Sequence, residues 1–76
     1  MKGINGGTLI KRVTTPDQGE QYPVFDANKH KDRMAYIEND HHGEYCIDWI
    51  IIKRKEDGVE MERYNCKFVQ SITWEE

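Results

Sequence analysis

The sequence predicts a small α+β protein in which one helix packs on one face of an antiparallel sheet. Three observations support this fold class. A β-branched stretch precedes the turn residues 16–19, apolar residues recur at helical spacing over residues 27–39, and two further β-rich stretches flank Asp57-Gly58. The predicted order of elements is strand, strand, helix, strand, strand, or ββαββ.

Composition favours a single domain over residues 1–76 with a thin core, because a chain of 76 residues buries only about 60% of its unfolded surface. Eleven Lys and Arg stand against fourteen Asp and Glu, with the signs interleaved. This balance disfavours phosphate binding as the main task. Residues 1–7 hold three glycines and are expected to be a flexible lead-in.

No transmembrane or secretory segment is expected. The longest apolar run, residues 49–52, is far shorter than the roughly 20 residues needed to cross a bilayer. The first seven residues lack the apolar core of a signal peptide. The expected compartment is the cytoplasm, with no membrane partner.

The first half of the chain predicts two strands. Residues 8–15 are rich in β-branched side chains, and residues 22–25 can form the return strand. Residues 16–19 between them place a proline and then Gly19 where a type I turn closed by a left-handed glycine requires them. Pro23 cannot donate a ladder hydrogen bond, which places the return strand at an edge or shortens it.

The helix is predicted over residues 27–39, with Asp26 or Asn28 as its N-cap. One stripe of this segment is apolar, while lysines, arginine and acids cover the rest. The stripe consists of Ala27, His30, Met34 and Ile37. Gly43, in the loop that follows, can adopt a positive φ.

The C-terminal half predicts a hairpin of residues 45–55 and 59–74 around the two-residue turn Asp57-Gly58. This turn sets a register with three opposite-charge pairs: Lys55–Glu60, Lys53–Glu62 and Asp48–Lys67. The same register aligns apolar pairs on one face: Ile51–Tyr64, Trp49–Cys66 and Ile47–Phe68. A slip of one residue would set Ile51 against Arg63 and lose both patterns.

The predicted register also assigns the faces of the sheet. The helix is expected to cover the face that carries Tyr45, Ile47, Trp49, Ile51, Tyr64 and Phe68. Cys46 and Cys66 then point to opposite faces and cannot form an unstrained disulfide, so both are expected to be free thiols.

The second face of the predicted sheet is a candidate partner-binding surface. It stays apolar although no element is predicted to cover it, and such a patch often marks an interaction site. The predicted partner-binding residues are Ile50, Ile52, Met61, Arg63, Lys67 and Val69. The partner can be another protein or a second copy of the chain, and an unpaired sheet edge offers a further route to either.

Catalytic and metal sites are not expected. His41-His42 lies near Cys46, with His30 and Asp40 as further conceivable ligands, yet no ligand set has a familiar zinc spacing. No phosphate-binding loop, dinucleotide fingerprint or hydrolase motif is present in the sequence. We expect no cofactor, no bound metal and no enzymatic activity.

Nucleic-acid binding is the alternative function. Its candidate residues are basic and lie on the predicted helix and at the hairpin tip: Lys29, Lys31, Arg33, Lys53, Arg54 and Lys55. Acidic neighbours dilute both clusters, so the first prediction is a protein-binding module.

In its size, its leading Met-Lys, its acidic balance and its ββαββ order, the chain resembles the small accessory proteins of bacteriophages. These include anti-CRISPR proteins and other inhibitors of host defence. The resemblance implies an inhibitor that binds a host or defence protein stoichiometrically and occludes a functional surface. It assigns no individual residue.

Overall fold

The computed structural model describes residues 9–75, except for the side chain of His42. The described residues form six strands and one 3₁₀ turn: β1 (Ile10–Thr14), β2 (Phe25–Asp26), β3 (Arg33–His42), β4 (Tyr45–Arg54), β5 (Glu60–Asn65), the 3₁₀ turn (Cys66–Phe68) and β6 (Ser71–Trp74). Two three-stranded antiparallel sheets result, with the strand orders β2-β1-β6 and β3-β4-β5. Residues 9–75 contain no α-helix, so the α+β prediction is wrong.

The first strand is confirmed within residues 8–15, and the left-handed glycine that follows it is confirmed as well. Gly19 has a φ of 69° and donates its N–H to the carbonyl of Thr15 at 2.8 Å. The return strand is confirmed only at Phe25, where β2 begins. Thr8 and the predicted lead-in, residues 1–7, lie outside the described residues.

The segment predicted as a helix, residues 27–39, makes one turn and then becomes a strand. The carbonyl of Asp26 accepts the N–H groups of Lys29 and His30 at 3.0 and 2.7 Å, which is the start of a helix. The turn does not continue, because from Arg33 the backbone pairs with β4 along all of β3.

Burial on both faces explains why the sequence pattern of this strand resembles that of a helix. Ala35 points to one side of the β3-β4-β5 sheet and Tyr36 to the other, and both side chains are buried. A strand covered on both faces lacks the alternation of apolar and polar residues that distinguishes it from a helix. Backbone pairing with β4 and packing against two layers then outweigh local helix preference.

The turn between β3 and β4 depends on Gly43. His42 and Tyr45 are paired at its base, and Gly43 holds the first central position with a φ of 57°. A glycine with positive φ at this position is the requirement of a type II′ hairpin turn. The prediction of a positive φ at Gly43 is confirmed.

The hairpin is confirmed for β4 and β5, but the predicted second strand over residues 59–74 is wrong beyond Asn65, because residues 71–74 form β6 and pair with β1 in the other sheet. The predicted register is also wrong by one residue. Ile51 faces Arg63 and Ile50 faces Tyr64, which is the one-residue slip that the predicted charge pairs argued against. None of the three predicted charge pairs forms in this register.

The turn causes the slip. Arg54 donates its N–H to the carbonyl of Val59 at 2.9 Å, and Gly58 donates to the carbonyl of Arg54 at 2.8 Å. Residues 55–58 therefore make up the turn, in place of Asp57-Gly58 alone. A two-pronged ion pair from Arg54 to Asp57, with a shortest distance of 2.7 Å, stabilises this longer turn.

The two sheets pack face to face around the main core. Val13 and Phe25 of the first sheet contact Ala35, Ile50 and Ile52 of the second, and each of these side chains is at most 1% exposed. The layer that covers the Ile50 face is therefore a second sheet. A smaller cluster on the opposite face of β3-β4-β5 joins Leu9, Tyr36 and Ile51.

Candidate partner-binding surface

Two residues of the predicted partner-binding patch belong to the core. Ile50 and Ile52 are 0% exposed, because the β2-β1-β6 sheet covers their face. Val69 is half-buried against the same core. The prediction that this face is open is wrong at these three positions.

Met61, Arg63 and Lys67 are exposed. Met61 and Arg63 lie on β5, which is an edge of the β3-β4-β5 sheet in the described part of the chain. Val59, just before β5, is 49% exposed and Met61 is 38% exposed. The pairing shifts by one residue between Ile52 and Lys53, so Met61 is the extra residue of a bulge in β5.

Arg63 is fixed in place by two contacts. Its guanidinium donates to the Glu60 carboxylate at 2.6 and 2.9 Å and stacks 5.4 Å from the ring centre of Trp49. The hydrogen bond from Arg63 lowers the pKa of the Glu60 carboxyl below its ordinary value. Arg63 thus presents an ordered cation at the sheet edge.

A shallow hollow of about 420 Å³ opens where β4 begins and β5 ends. It is lined by Cys46, Ile47 and Asp48 on one side and Asn65, Cys66 and Lys67 on the other. Residues 65–67 form the second side of the hollow because Asn65 caps the 3₁₀ turn. The side-chain carbonyl of Asn65 accepts the N–H of Lys67 at 2.9 Å. The turn bends residues 66–68 out of the strand path and exposes Phe68.

Two aromatic rings flank the lining residues of this hollow in the chain. Tyr45 precedes Cys46 and is 73% exposed, and Phe68 follows Lys67 and is 68% exposed. Both were expected to lie under a helix, so sequence analysis missed them as surface residues. Asn65 is the signal that could have revealed Phe68, since asparagine favours caps and turns over strand interiors.

The two cysteines are free thiols, but they do not lie on opposite faces. Both line the hollow. Cys46 is exposed, with its sulfur 3.0 Å from Nδ1 of His41. Burial raises the pKa of the Cys66 thiol, which keeps this group protonated and a poor nucleophile at neutral pH.

Two of the histidines considered as metal ligands, His41 and His30, have different partners. His41 contacts Cys46, whereas His30 stacks near Phe25 and accepts the N–H of Asp26 at 3.1 Å. Among the side chains of residues 9–75 other than His42, which lies outside the description, no group of three or more His, Cys, Asp or Glu is arranged to hold a metal ion.

The basic residues of the alternative function converge at one end of the β3-β4-β5 sheet. Arg33 pairs with Arg54 across β3 and β4, and Lys55 donates its N–H to the carbonyl of Asp32 at 2.8 Å. Lys53 lies one pair further along β4. Lys29 and Lys31 lie in the segment that leads into β3.

Several of these cations already have partners. Arg54 binds Asp57, the ammonium of Lys53 lies 5.3 Å from the ring centre of Tyr36, and Nε of Arg33 is 3.8 Å from the Asp32 carboxylate. The two carboxylates lower the net positive charge that this end of the sheet presents to a nucleic acid, whereas the neutral Tyr36 ring leaves the charge of Lys53 unchanged.

Comparison with known proteins leaves the class of the protein open. No family model, curated protein or solved structure matches this chain. In the part of the chain that the structure describes, no helix is long and apolar enough to cross a membrane.

Proposed function

We propose that the protein is a non-enzymatic protein-binding module. The binding surface that we propose is the hollow between β4 and the 3₁₀ turn together with the exposed rings of Tyr45 and Phe68, which are adjacent in sequence to its lining residues; we call it the β4–3₁₀ surface. The observation that carries the proposal is the exposure of these two rings, 73% and 68%, on the two chain segments that line one concavity.

The energetics of the rings support this role. Burying a large apolar side chain completely is worth about 1.5–3 kcal/mol, so covering what remains exposed of each ring is worth about 1–2 kcal/mol. Aromatic residues and arginine dominate the binding energy of most protein interfaces. The ordered Arg63 and the exposed Met61 and Val59 extend the same edge of the sheet.

Side chains, more than strand addition, are expected to make the contacts. β5 is an edge strand, but it is six residues long, carries a bulge at Met61 and displays the charges of Glu60 and Glu62. Short, bulged and charged edges oppose pairing with another strand. We therefore expect a partner to contact the hollow and the two rings in preference to the β5 backbone.

The mode of action that we propose is stoichiometric occlusion of a host or defence protein in the cytoplasm. The resemblance to small bacteriophage accessory proteins suggests this partner class, and it now depends on size and acidic balance alone, because the ββαββ order is wrong. A second copy of the chain is the competing occupant of the same surface.

The test compares two aromatic sites. The double variant Tyr45→Ala/Phe68→Ala should reduce affinity for a partner captured from host lysate by at least tenfold and leave the melting temperature unchanged. Tyr22→Ala is the matched control, since Tyr22 is 64% exposed on the loop between β1 and β2.

Unchanged affinity in the double variant would contradict the proposed surface, as would an equal loss in the Tyr22 control. Sedimentation of the purified protein distinguishes the two occupants. A dimer that the double variant dissociates would assign the surface to self-association.

Nucleic-acid binding stays the second candidate, because four basic residues predicted on two separate elements lie at one end of the β3-β4-β5 sheet: Arg33, Lys53, Arg54 and Lys55. A fluorescent oligonucleotide should then bind with an affinity that falls steeply with salt, and Lys53→Glu/Lys55→Glu should abolish binding. Salt-independent or undetectable binding would exclude this function.

A further inference from the structure

A cavity of about 230 Å³ lies between the two sheets, at the end where β3 begins. Its wall is apolar over most of its area, and its apolar residues include Ile10, Phe25, Ala27 and Met34. Arg33, Lys55 and Glu75 add charged groups to the same lining. Apolar walls with a few polar groups are the usual form of a small-molecule site.

Arg33 is the polar group that sets the chemistry of this cavity. Its side chain is only 26% exposed, and its Nε is shielded from water without a hydrogen-bond partner. The adjacent Asp32 carboxylate lies 3.8 Å from this nitrogen, beyond hydrogen-bond distance. Because most of the side chain is shielded from water, a hydrogen bond between its guanidinium and an incoming acceptor is stronger here than at an exposed arginine.

Positive charges outnumber negative ones among the lining residues, which favours an anion; the exposed Asp32 beside Arg33 lies outside the lining. Arg33 and Lys55 contribute two positive charges against the one negative charge of Glu75. The planar guanidinium of arginine matches a carboxylate with two parallel hydrogen bonds.

The volume limits the size of the ligand. A protein cavity of about 150 Å³ lined by apolar side chains holds one benzene molecule. At about 230 Å³, this cavity has room for one aromatic ring and a carboxyl group.

From this combination we propose that the cavity is a binding site for a small monocarboxylate with an apolar body, of the size of benzoate. The apolar body contacts Phe25, Ala27 and Met34, and the carboxylate accepts hydrogen bonds from Arg33 with Lys55 nearby. This site is separate from the β4–3₁₀ surface and does not depend on the proposed function.

Three matched probes test the site by titration of ¹⁵N-labelled protein followed by NMR: benzoate, the neutral benzamide and the cationic benzylamine. Benzoate should give saturable shifts at the amides of Ala27 and Met34, with a Kd of about 1 mM or tighter. Benzamide and benzylamine should bind at least tenfold more weakly.

Substitutions then locate the carboxylate. Arg33→Met keeps the apolar stem and should weaken benzoate binding at least tenfold, whereas Lys31→Met, the same charge change on an exposed neighbour, should leave binding unchanged. Ala27→Leu should exclude benzoate by filling the cavity while Arg33 stays in place. This second variant decides the question if Arg33→Met does not fold.

Four results would overturn the proposal. These are no saturable shift with benzoate, equal binding of benzamide, tighter binding of benzylamine, or full benzoate affinity in a folded Ala27→Leu or Arg33→Met protein. Tighter binding of benzylamine would assign the polar contact to Glu75.

Discussion

Truncation of Ile50 to alanine should strongly destabilise the protein. Ile50 is 0% exposed, and it packs in the cluster that joins the two sheets. The change removes three carbons at about 0.8 kcal/mol each, or about 2.4 kcal/mol of transfer free energy. The residual cavity raises the expected cost to about 3–4 kcal/mol, within the range measured for such truncations.

This cost is a large share of the protein's total free energy of unfolding. A chain of 76 residues has a free energy of unfolding of about 4–11 kcal/mol. At about 4–8 °C per kcal/mol, Ile50→Ala should lower Tm by about 12–30 °C. Ile50→Glu should not fold at 25 °C, because it places an unpaired charge between the sheets.

Urea unfolding and thermal melting, both followed by circular dichroism, measure the effect. Val59→Ala is the control, since Val59 is 49% exposed and its truncation should cost less than about 0.5 kcal/mol. A loss below about 1 kcal/mol for Ile50→Ala, or a folded Ile50→Glu protein, would refute the two-sheet packing. Either result would restore the open face that the sequence predicted.

Three further predictions concern single groups. Burial and a hydrogen bond to Glu62 raise the pKa of Tyr64 to about 12. The contribution of Tyr64 to the free energy of unfolding is therefore complete below a pH of about 10, the pKa of an unfolded tyrosine, and is lost as the pH rises through about 12. In urea unfolding at alkaline pH, the free energy of unfolding of Tyr64→Phe should fall less with rising pH than that of the unsubstituted protein. Gly58→Ala should cost about 1 kcal/mol in the same assay, because Gly58 has a φ of 71° and no steric neighbour; an unchanged midpoint would show that the turn relaxes. Iodoacetamide should alkylate Cys46 faster than Cys66 in the native protein, since Cys46 is exposed and burial raises the pKa of Cys66; mass spectrometry of peptides measures the ratio, and equal rates would contradict the described burial.

Local chemistry made the turns predictable. Gly19, Gly43 and Gly58 all have positive φ, as their neighbours in the sequence indicate. Strands around the Asp57-Gly58 turn were equally clear, because β-branched and aromatic residues gather on both sides of it. These features depend on a few adjacent residues, so they can be predicted without knowledge of the fold.

The candidate site was only partly predictable. Met61, Arg63 and Lys67 were expected on a surface and are exposed, whereas Tyr45 and Phe68 were expected in the core. Their exposure depends on where β5 ends and on what covers each face. The residues next to Tyr45 and Phe68 in the sequence determine neither the end of β5 nor the element that covers each face.

The sequence by itself determined the positions of the turns, the hairpin at the C-terminal end and an apolar content sufficient for one small core. Only the tertiary structure decided that residues 33–42 are a strand and that Ile50 and Ile52 are interior. A strand buried on both faces lacks the alternation of apolar and polar residues that distinguishes a strand from a helix, so backbone pairing with β4 is what separates the two. The register likewise followed the four-residue turn held by Arg54 and Asp57, because closing that turn and burying the Ile50 face outweigh surface charge pairs worth at most about 1 kcal/mol each.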